Sequence, residues 1–147
     1  MKNLLVTACL CVATAGVLPG AALAEKAEKF GSLEVHYNAL TTDELLPEVA
    51  RVYKIERSKT RGIATISVLK KNKLGALTPV PAKLTVYVTN LQQQLVSVPM
   101  REIKEGAAIY YLGDFRVAPP DTLKFTATVE TAGEPKRDVV FNQQFFK

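Results

Sequence analysis

The sequence predicts an all-β fold, a two-sheet sandwich of immunoglobulin-like or fibronectin-like type with about seven strands and one short helix. Apolar residues after residue 24 recur mainly at spacing two, which is the period of a strand that buries one face. Short segments rich in glycine, proline, asparagine and aspartate separate these runs. One segment, residues 41–52, has helical spacing instead. Short strands joined by turns therefore favour a sandwich.

The predicted strands differ in how clearly they show this pattern. Alternation is clearest where Leu84, Val86 and Val88 are interleaved with residues that can face solvent. Residues 63–69 form a β-branched run that could be buried on both faces of a sheet. The predicted segments are residues 33–37, 63–69, 84–88, 96–100, 109–115, 123–129 and 139–145.

Turn-forming residues predict how the strands are connected. Gly106 permits a tight hairpin, because glycine adopts a positive φ angle at little cost. Residues 90–92 are short enough for another hairpin, and the two prolines at 119–120 predict a stiffer corner. Residues 70–81 form a longer loop.

The segment at residues 41–52 predicts the short helix. Thr42 or Asp43 could cap it, and Pro47 restricts it to one or two turns near its start. One face of this helix would carry Leu46, Val49, Ala50 and Tyr53.

The first 24 residues have the three parts of a secretory signal peptide. Lys2 supplies a positive start, residues 4–18 are apolar or small, and the Pro-Gly pair at 19–20 ends any helix. The Ala-Leu-Ala sequence at residues 22–24 follows the small-x-small rule for cleavage. We therefore expect cleavage after residue 24 and one mature domain, residues 25–147, in the periplasm. The apolar run is shorter than the roughly 20 residues that span a bilayer, so we expect no transmembrane segment after cleavage.

Both cysteines, Cys9 and Cys11, lie within the predicted signal peptide. The sequence at residues 6–9 resembles a lipoprotein cleavage box, but cleavage there would leave an apolar region too short for export. The mature domain is therefore expected to have no disulfide and to depend on a hydrophobic core.

The side chains of the mature domain offer little for catalysis or metal binding. His36 is the single histidine and no mature cysteine is present, so we expect no zinc or copper site of the usual type. Ser58 and Lys59 are neighbours, but adjacent residues of an extended chain point to opposite sides, which opposes a Ser-Lys dyad. Phosphate-binding glycine loops are absent from the sequence as well. We expect neither an enzyme nor a cofactor.

Positive charge is concentrated in residues 51–73, which hold eight basic residues and one acidic residue, Glu56. One interpretation is two solvated loops flanking a strand, whose charges discourage aggregation. The other is that both loops attract an anionic envelope component or protein by long-range electrostatics. Nucleic acid is not an expected partner, because no aromatic stacking platform accompanies these charges. The candidate binding residues are Arg57, Lys59, Arg61, Lys70, Lys71 and Lys73.

Several motifs in the chain resemble one bacterial family. Residues 30–39 read F-G-x-x-E-V-H-Y-N-A, and residues 53–62 read Y-x-I-x-R-S-K-x-R-G. Residues 101–112 read R-E-I-x-E-G-x-x-I-Y-Y-L, and the chain ends in F-N-Q-Q-F-F at residues 141–146. Together they resemble domain of unknown function 4426, a family of small exported proteins from Gram-negative bacteria. The resemblance covers residues 29–146 and implies an envelope protein, but no activity, cofactor or catalytic residue.

We therefore expect a periplasmic binding or accessory module that engages an anionic partner through basic loops. The alternative is an envelope hydrolase, or an inhibitor of one, that uses Ser58, Lys59 or a pair of carboxylates. A third possibility is self-association through an exposed sheet edge. The sequence does not determine the partner or the oligomeric state.

Overall fold

The computed structural model of the protein describes residues 26–146, and these form two antiparallel sheets packed face to face. The predicted all-β sandwich is therefore confirmed. The predicted signal peptide, residues 1–24, lies outside the described residues. Between residues 26 and 146, no helix is both long and apolar enough to cross a membrane.

Ten strands, one 3-10 helix and one α-helix make up the described chain. The strands are β1 (Lys26–Phe30), β2 (Leu33–Thr41), β3 (Arg61–Lys71), β4 (Leu77–Pro79), β5 (Lys83–Thr89), β6 (Leu95–Ser97), β7 (Arg101–Glu105), β8 (Ala108–Arg116), β9 (Asp121–Glu130) and β10 (Arg137–Phe145). The 3-10 helix is Thr42–Glu44, and the α-helix, α1, is Pro47–Val52.

The strands are arranged in one larger and one smaller sheet. Sheet A has six strands in the order β1-β2-β3-β8-β7, and β4 pairs with the far end of β3. Sheet B has four strands in the order β10-β9-β5-β6. The predicted hairpin turn at Gly106 joins β7 to β8, with φ of 57°.

The structure has more strands than the sequence pattern predicts. The strand predicted at residues 96–100 is divided, because β6 ends at Ser97 and β7 begins at Arg101 in the other sheet. Pro99 lies at this crossing, where a residue without an N–H interrupts the ladder. The sequence pattern does not predict two further strands, because β1 is largely charged and β4 has only three residues.

A chain of aromatic rings crosses the core and joins the two sheets. The ring of Tyr37 in β2 stacks on Phe141 in β10, with centroids 4.3 Å apart, and Phe141 stacks on Phe125 in β9 at 4.7 Å. Phe125 in turn meets Phe115 in β8 edge to face at 5.2 Å, and Phe115 meets Phe145 at 5.8 Å. Such pairs contribute about 0.5–1.5 kcal/mol each beyond the area that they bury. In a core without disulfides, they are the most direct connection between the sheets.

A second, smaller cluster lies on the outer face of sheet A. Leu40, Ile63 and Leu112 are buried there, on three adjacent strands. The segment 42–55 covers them and contributes Leu45, Tyr53 and Ile55 to the cluster. Strand β3 is therefore buried on both faces, as its β-branched sequence predicts.

The predicted short helix is confirmed, but its predicted cap and apolar face are only partly correct. Neither Thr42 nor Asp43 caps α1; the helix begins at Pro47, whose fixed φ suits the first helical position, and its N-cap is Leu46. Ala50 is buried, whereas Leu46 is 54% exposed. A helix of six residues is too short to bury all four side chains of the predicted apolar face against the sheet.

The hydroxyl of Thr42 fastens this covering segment to the loop before β3. Thr42 is fully buried, and its Oγ1 lies 2.8 Å from the carbonyl oxygen of Glu56, to which it donates, and 3.1 Å from that of Ser58. The same oxygen accepts a hydrogen bond from the backbone N–H of Ser58 at 2.8 Å. One side chain therefore provides hydrogen-bond partners for backbone groups of Glu56 and Ser58.

We expect Thr42→Val to destabilise the protein by about 1–3 kcal/mol, because the Ser58 N–H and the Glu56 carbonyl lose their shared partner. The free energy of unfolding from urea denaturation measures this effect. Thr42→Ser retains the hydroxyl and should lose clearly less. Equal stability of the valine and serine variants would contradict the assigned role of the hydroxyl.

Position 62 requires glycine because an aromatic ring packs closely against its backbone, and not because of its backbone angles. It lies directly opposite Phe115 in the β3–β8 pairing. A Cβ atom at position 62 would overlap the ring of Phe115. The position of Phe115 in the aromatic chain therefore depends on the lack of a side chain at Gly62.

We expect Gly62→Ala to cost about 1–3 kcal/mol through overpacking, as a displaced ring disturbs its neighbours. The cost should fall in a Phe115→Leu background, since the smaller side chain leaves room for the methyl group. Urea denaturation of both single variants and the double variant measures this coupling. Purely additive losses would show that the ring is not what excludes a side chain.

Candidate functional site

A cleft with a volume of ≈ 980 Å³ lies between the two sheets. It lies at the end of the sandwich where β3 begins and β8 ends, facing β5 and β6. Its lining residues are Glu56, Ser58, Thr60, Arg61, Val88, Asn90, Gln94, Val96, Ser97, Asp114, Phe115, Arg116, Val117, Ala118, Asp121 and Leu123.

The cleft exists because β6 is too short to close the sandwich. With three residues, β6 leaves Val96 58% exposed although its cross-strand partner Val88 is buried in the core. On the opposite wall, the N–H of Val117 donates to the carbonyl oxygen of Thr60 at 3.1 Å and holds the two chain segments together. The cleft is therefore open at β6 and firmly built at β3 and β8.

The six candidate basic residues do not converge on one site. Arg57, Lys59 and Arg61 lie at the start of β3 beside the cleft, whereas Lys70, Lys71 and Lys73 lie at or beyond its other end. An eleven-residue strand separates the two groups by roughly 30 Å. Arg61 is the one candidate that lines the cleft.

Arg61 is positioned and neutralised by two carboxylates. Its guanidinium donates to Asp114 Oδ2 at 2.8 Å and to Glu56 Oε2 at 3.2 Å. These side chains are substantially exposed, so each ion pair contributes only about 0–1 kcal/mol. The effect of the pairs is to fix the guanidinium at the mouth of the cleft.

Arg116 is the site residue that sequence reasoning missed. It lies directly opposite Arg61 in the β3–β8 pairing, so two guanidinium groups occupy one face of adjacent strands. Like charges in that arrangement repel. Arg116 is exposed and forms no ion pair with residues 26–146, so its charge is available to a partner. Only the pairing of β3 with β8 reveals this juxtaposition.

The remaining basic candidates have different surroundings. Arg57 donates to the backbone carbonyl of Asp43 at 2.6 Å and so braces the covering segment. Lys70 forms an ion pair with Glu134 at 2.6 Å, which lowers the pKa of that carboxyl. Lys59 and Lys73 are exposed and form no ion pair within the described chain.

Ser58 lines the cleft, but its hydroxyl is engaged with a neighbour. Ser58 Oγ lies 3.0 Å from Thr60 Oγ1 and accepts a hydrogen bond from the Thr60 N–H at 3.1 Å. Lys59 is not among the lining residues. The serine and the lysine therefore do not face the cleft together.

His36 lies away from the cleft, on β2. Its Nε2 is 2.8 Å from Glu34 Oε1, and the Lys29 ammonium is 3.8 Å from the other oxygen of that carboxylate. Among residues 26–146, no group of three histidine, cysteine, aspartate or glutamate side chains is placed to hold a metal ion.

A hydrogen-bonded tyrosine pair joins the covering segment to sheet A. Tyr53 donates to Glu105 Oε1 at 2.6 Å, and its oxygen is 2.5 Å from that of Tyr110. Because the Tyr53 hydroxyl donates its proton to the Glu105 carboxylate, the Tyr110 hydroxyl must donate to the Tyr53 oxygen. Burial, followed by this hydrogen bond, raises the pKa of Tyr110 well above its ordinary value of 10.0. The Arg101 guanidinium also donates to the Tyr53 carbonyl at 2.8 Å, so this network anchors the end of α1.

The raised pKa of Tyr110 predicts a loss of stability at alkaline pH. The folded state keeps the phenol protonated, so its contribution is full below the unfolded pKa of about 10 and falls as pH rises above it. We expect the free energy of unfolding to decline less steeply above pH ~10 in Tyr110→Phe than in the natural chain. Denaturation curves collected from neutral to alkaline pH provide the measurement. Parallel declines in both proteins would refute the assignment.

The fold and the cleft define a small antiparallel β-sandwich with a charged groove at one end. The chain belongs to the family described as Domain of unknown function (DUF4426), which matches residues 27–147. The resemblance of its motifs to that family is thereby confirmed.

Solved structures share this fold. A DUF4426 family protein (PA0388) from Pseudomonas aeruginosa is 34% identical, with 83% of this chain and 94% of that chain covered and a TM-score of 0.69. FetP from uropathogenic Escherichia coli, recombinantly expressed in the periplasm, has a TM-score of 0.59 at 12% identity, covering 82% of this chain and 93% of that one. A copper-bound variant of FetP gives 0.59 at 13% identity, with 82% and 93% covered. Among curated proteins, none matches the chain in sequence.

Proposed function

We propose that the protein is a periplasmic accessory module that binds an anionic group of a partner at the mouth of the cleft, without catalysing a reaction. Arg116 would meet the anion, and Arg61 would line the site in an orientation set by Glu56 and Asp114. The anionic group would be a carboxylate or a phosphate of an envelope component or protein. Of the six expected binding residues, the proposal keeps Arg61, and it adds Arg116 at the end of β8.

The observation that carries the proposal is the opposition of Arg61 and Arg116 on adjacent strands. Of these two arginines, Arg61 has two counter-ions within the described chain and Arg116 has none, so an anion beside Arg116 would supply the counter-ion that Arg116 lacks. A planar guanidinium suits a carboxylate or a phosphate, because it can donate two parallel hydrogen bonds. The adjoining cleft provides space for the rest of the partner.

Two observations support the periplasm as the location. The first residues of the chain have the pattern of a cleavable signal peptide. FetP, which shares the fold at low identity, was expressed in the periplasm. We do not propose copper binding by analogy with the FetP variant. The described chain has one histidine, no cysteine and no group of three histidine, cysteine, aspartate or glutamate side chains placed to hold a metal ion.

The alternative, an envelope hydrolase or an inhibitor of one, has less support. Ser58 does line a cleft that contains carboxylates. Its hydroxyl, however, is hydrogen-bonded to Thr60, and no base lies within the contacts that it makes. Binding therefore explains more of the site than catalysis does.

Binding of the mature chain to vesicles containing phosphatidylglycerol and to a polyglutamate peptide tests the proposal and separates a phosphate source from a carboxylate source. We expect binding at low salt that weakens as salt rises. Arg116→Ala should lower the affinity about tenfold, the equivalent of losing one charge-assisted hydrogen bond.

Lys73→Ala is the matched control, because Lys73 is an exposed cation at the opposite end of β3. At 0.15 M salt it should leave the affinity within about twofold of the natural value, since its distance from the cleft mouth exceeds the Debye length of about 8 Å. Affinity that is indifferent to salt, or equal losses in the two variants, would rule out the proposed site.

A further inference from the structure

The edge strand β6 and its flanks carry no charge. Residues 84–100 contain no lysine, arginine, aspartate or glutamate, although the chain as a whole carries 19 basic and 14 acidic residues. Large apolar side chains in this stretch are nevertheless exposed, with Leu91 at 68%, Leu95 at 64% and Val96 at 58%. A neutral, apolar edge of this kind is a template for pairing with another strand.

Three of the other four sheet edges are protected, whereas β4 (Leu77–Pro79) is an uncharged edge strand of three residues that ends in a proline, which has no N–H to donate. Strand β7 is charged at four of its five positions, and β1 at three of five. Strand β10 is flanked by sheet A, because Phe141 stacks on Tyr37 and the Arg137 guanidinium lies 5.5 Å from the centre of the Phe30 ring. Strand β6 therefore combines unpaired backbone groups, no charged residue and exposed apolar side chains.

The backbone groups of β6 that point away from sheet B can be identified. Val98 donates to Val86, and Gln94 accepts from Asn90, so the even-numbered residues are bonded toward β5. Antiparallel ladders alternate at each residue. The N–H and C=O groups of Leu95 and Ser97 therefore point outward.

We propose that β6 pairs with β6 of a second copy of this chain, antiparallel about a two-fold axis that passes beside Val96. Leu95 and Ser97 of each copy then exchange both backbone hydrogen bonds with Ser97 and Leu95 of the other. Val96 lies opposite Val96 of the other copy in a non-hydrogen-bonded pair, with Cα atoms about 4.5 Å apart. The two B sheets become one continuous sheet, and the closed symmetry stops assembly at the dimer.

Charge is the reason for choosing a second copy as the occupant. At a two-fold axis every residue near the axis meets itself, so any charge there would face a like charge. The chain has a formal net charge of +5, which opposes approach of two copies over most of the surface. The uncharged stretch at 84–100 is where that opposition is weakest. A three-residue edge buries little area, so we expect a dimer that dissociates on dilution.

Analytical ultracentrifugation of the mature chain, from low micromolar to about 1 mM, tests this inference. We expect a concentration-dependent dimer that Ser97→Pro abolishes, because proline removes an outward N–H and leaves the bonds to β5 intact. Ser97→Ala is the matched control and should dimerise normally. Circular dichroism and thermal unfolding should show that both variants remain folded.

A cross-link tests the register independently. The mature chain has no cysteine of its own, and Val96→Cys places two thiols at a separation that a disulfide can span. Mild oxidation should yield a covalent dimer, whereas Val140→Cys, with a similarly exposed valine on β10, should not. A natural chain that stays monomeric at all concentrations, or a dimer unaffected by Ser97→Pro, would overturn the proposal. Pairing of β6 with a different protein while the chain itself stays monomeric would overturn it as well. The anion-binding test uses Arg116 and Lys73, so either proposal can fail without the other.

Discussion

The packing of two sheets around Phe125 is the constraint on which the rest of this structure depends. Phe125 is fully buried, stacks on Phe141 and meets Phe115 edge to face, so it touches rings from both sheets. The described chain has no cysteine with which to replace this connection. Gly62 belongs to the same constraint, because only the absence of a side chain there allows Phe115 to reach its position.

The aromatic chain closes the sandwich on one side, whereas the opposite side is open. Its rings run toward β2 and β10, where Tyr37 stacks on Phe141. At the opposite side, β6 is only three residues long and carries no aromatic residue. The cleft and the uncharged edge are therefore two consequences of one asymmetry in how the sheets meet.

The sequence predicts most of the fold but little of the candidate site. Alternation of apolar residues, the turn at Gly106 and the short helix are local properties, and the structure confirms them. The ion pair between Arg61 and Asp114 joins residues 53 positions apart, and the opposition of Arg61 and Arg116 needs the register of β3 with β8. The basic run at residues 51–73 likewise does not show that strand β3 separates its two ends. The number of charged residues in a segment of the sequence therefore does not show how close their charges lie in the folded protein.

The two walls of the cleft differ in a way that separates their roles. The wall at the start of β3 and the end of β8 carries Glu56, Arg61, Asp114 and Arg116, whereas the β5–β6 wall is uncharged. Electrostatic contacts weaken with salt, but backbone pairing of an apolar strand does not depend on long-range charge. An anion and a second copy would therefore use adjacent surfaces through different physics. The electrostatic field at the cleft mouth is therefore set by the arginines and the carboxylates beside them, because β6 adds no charge on the opposite wall.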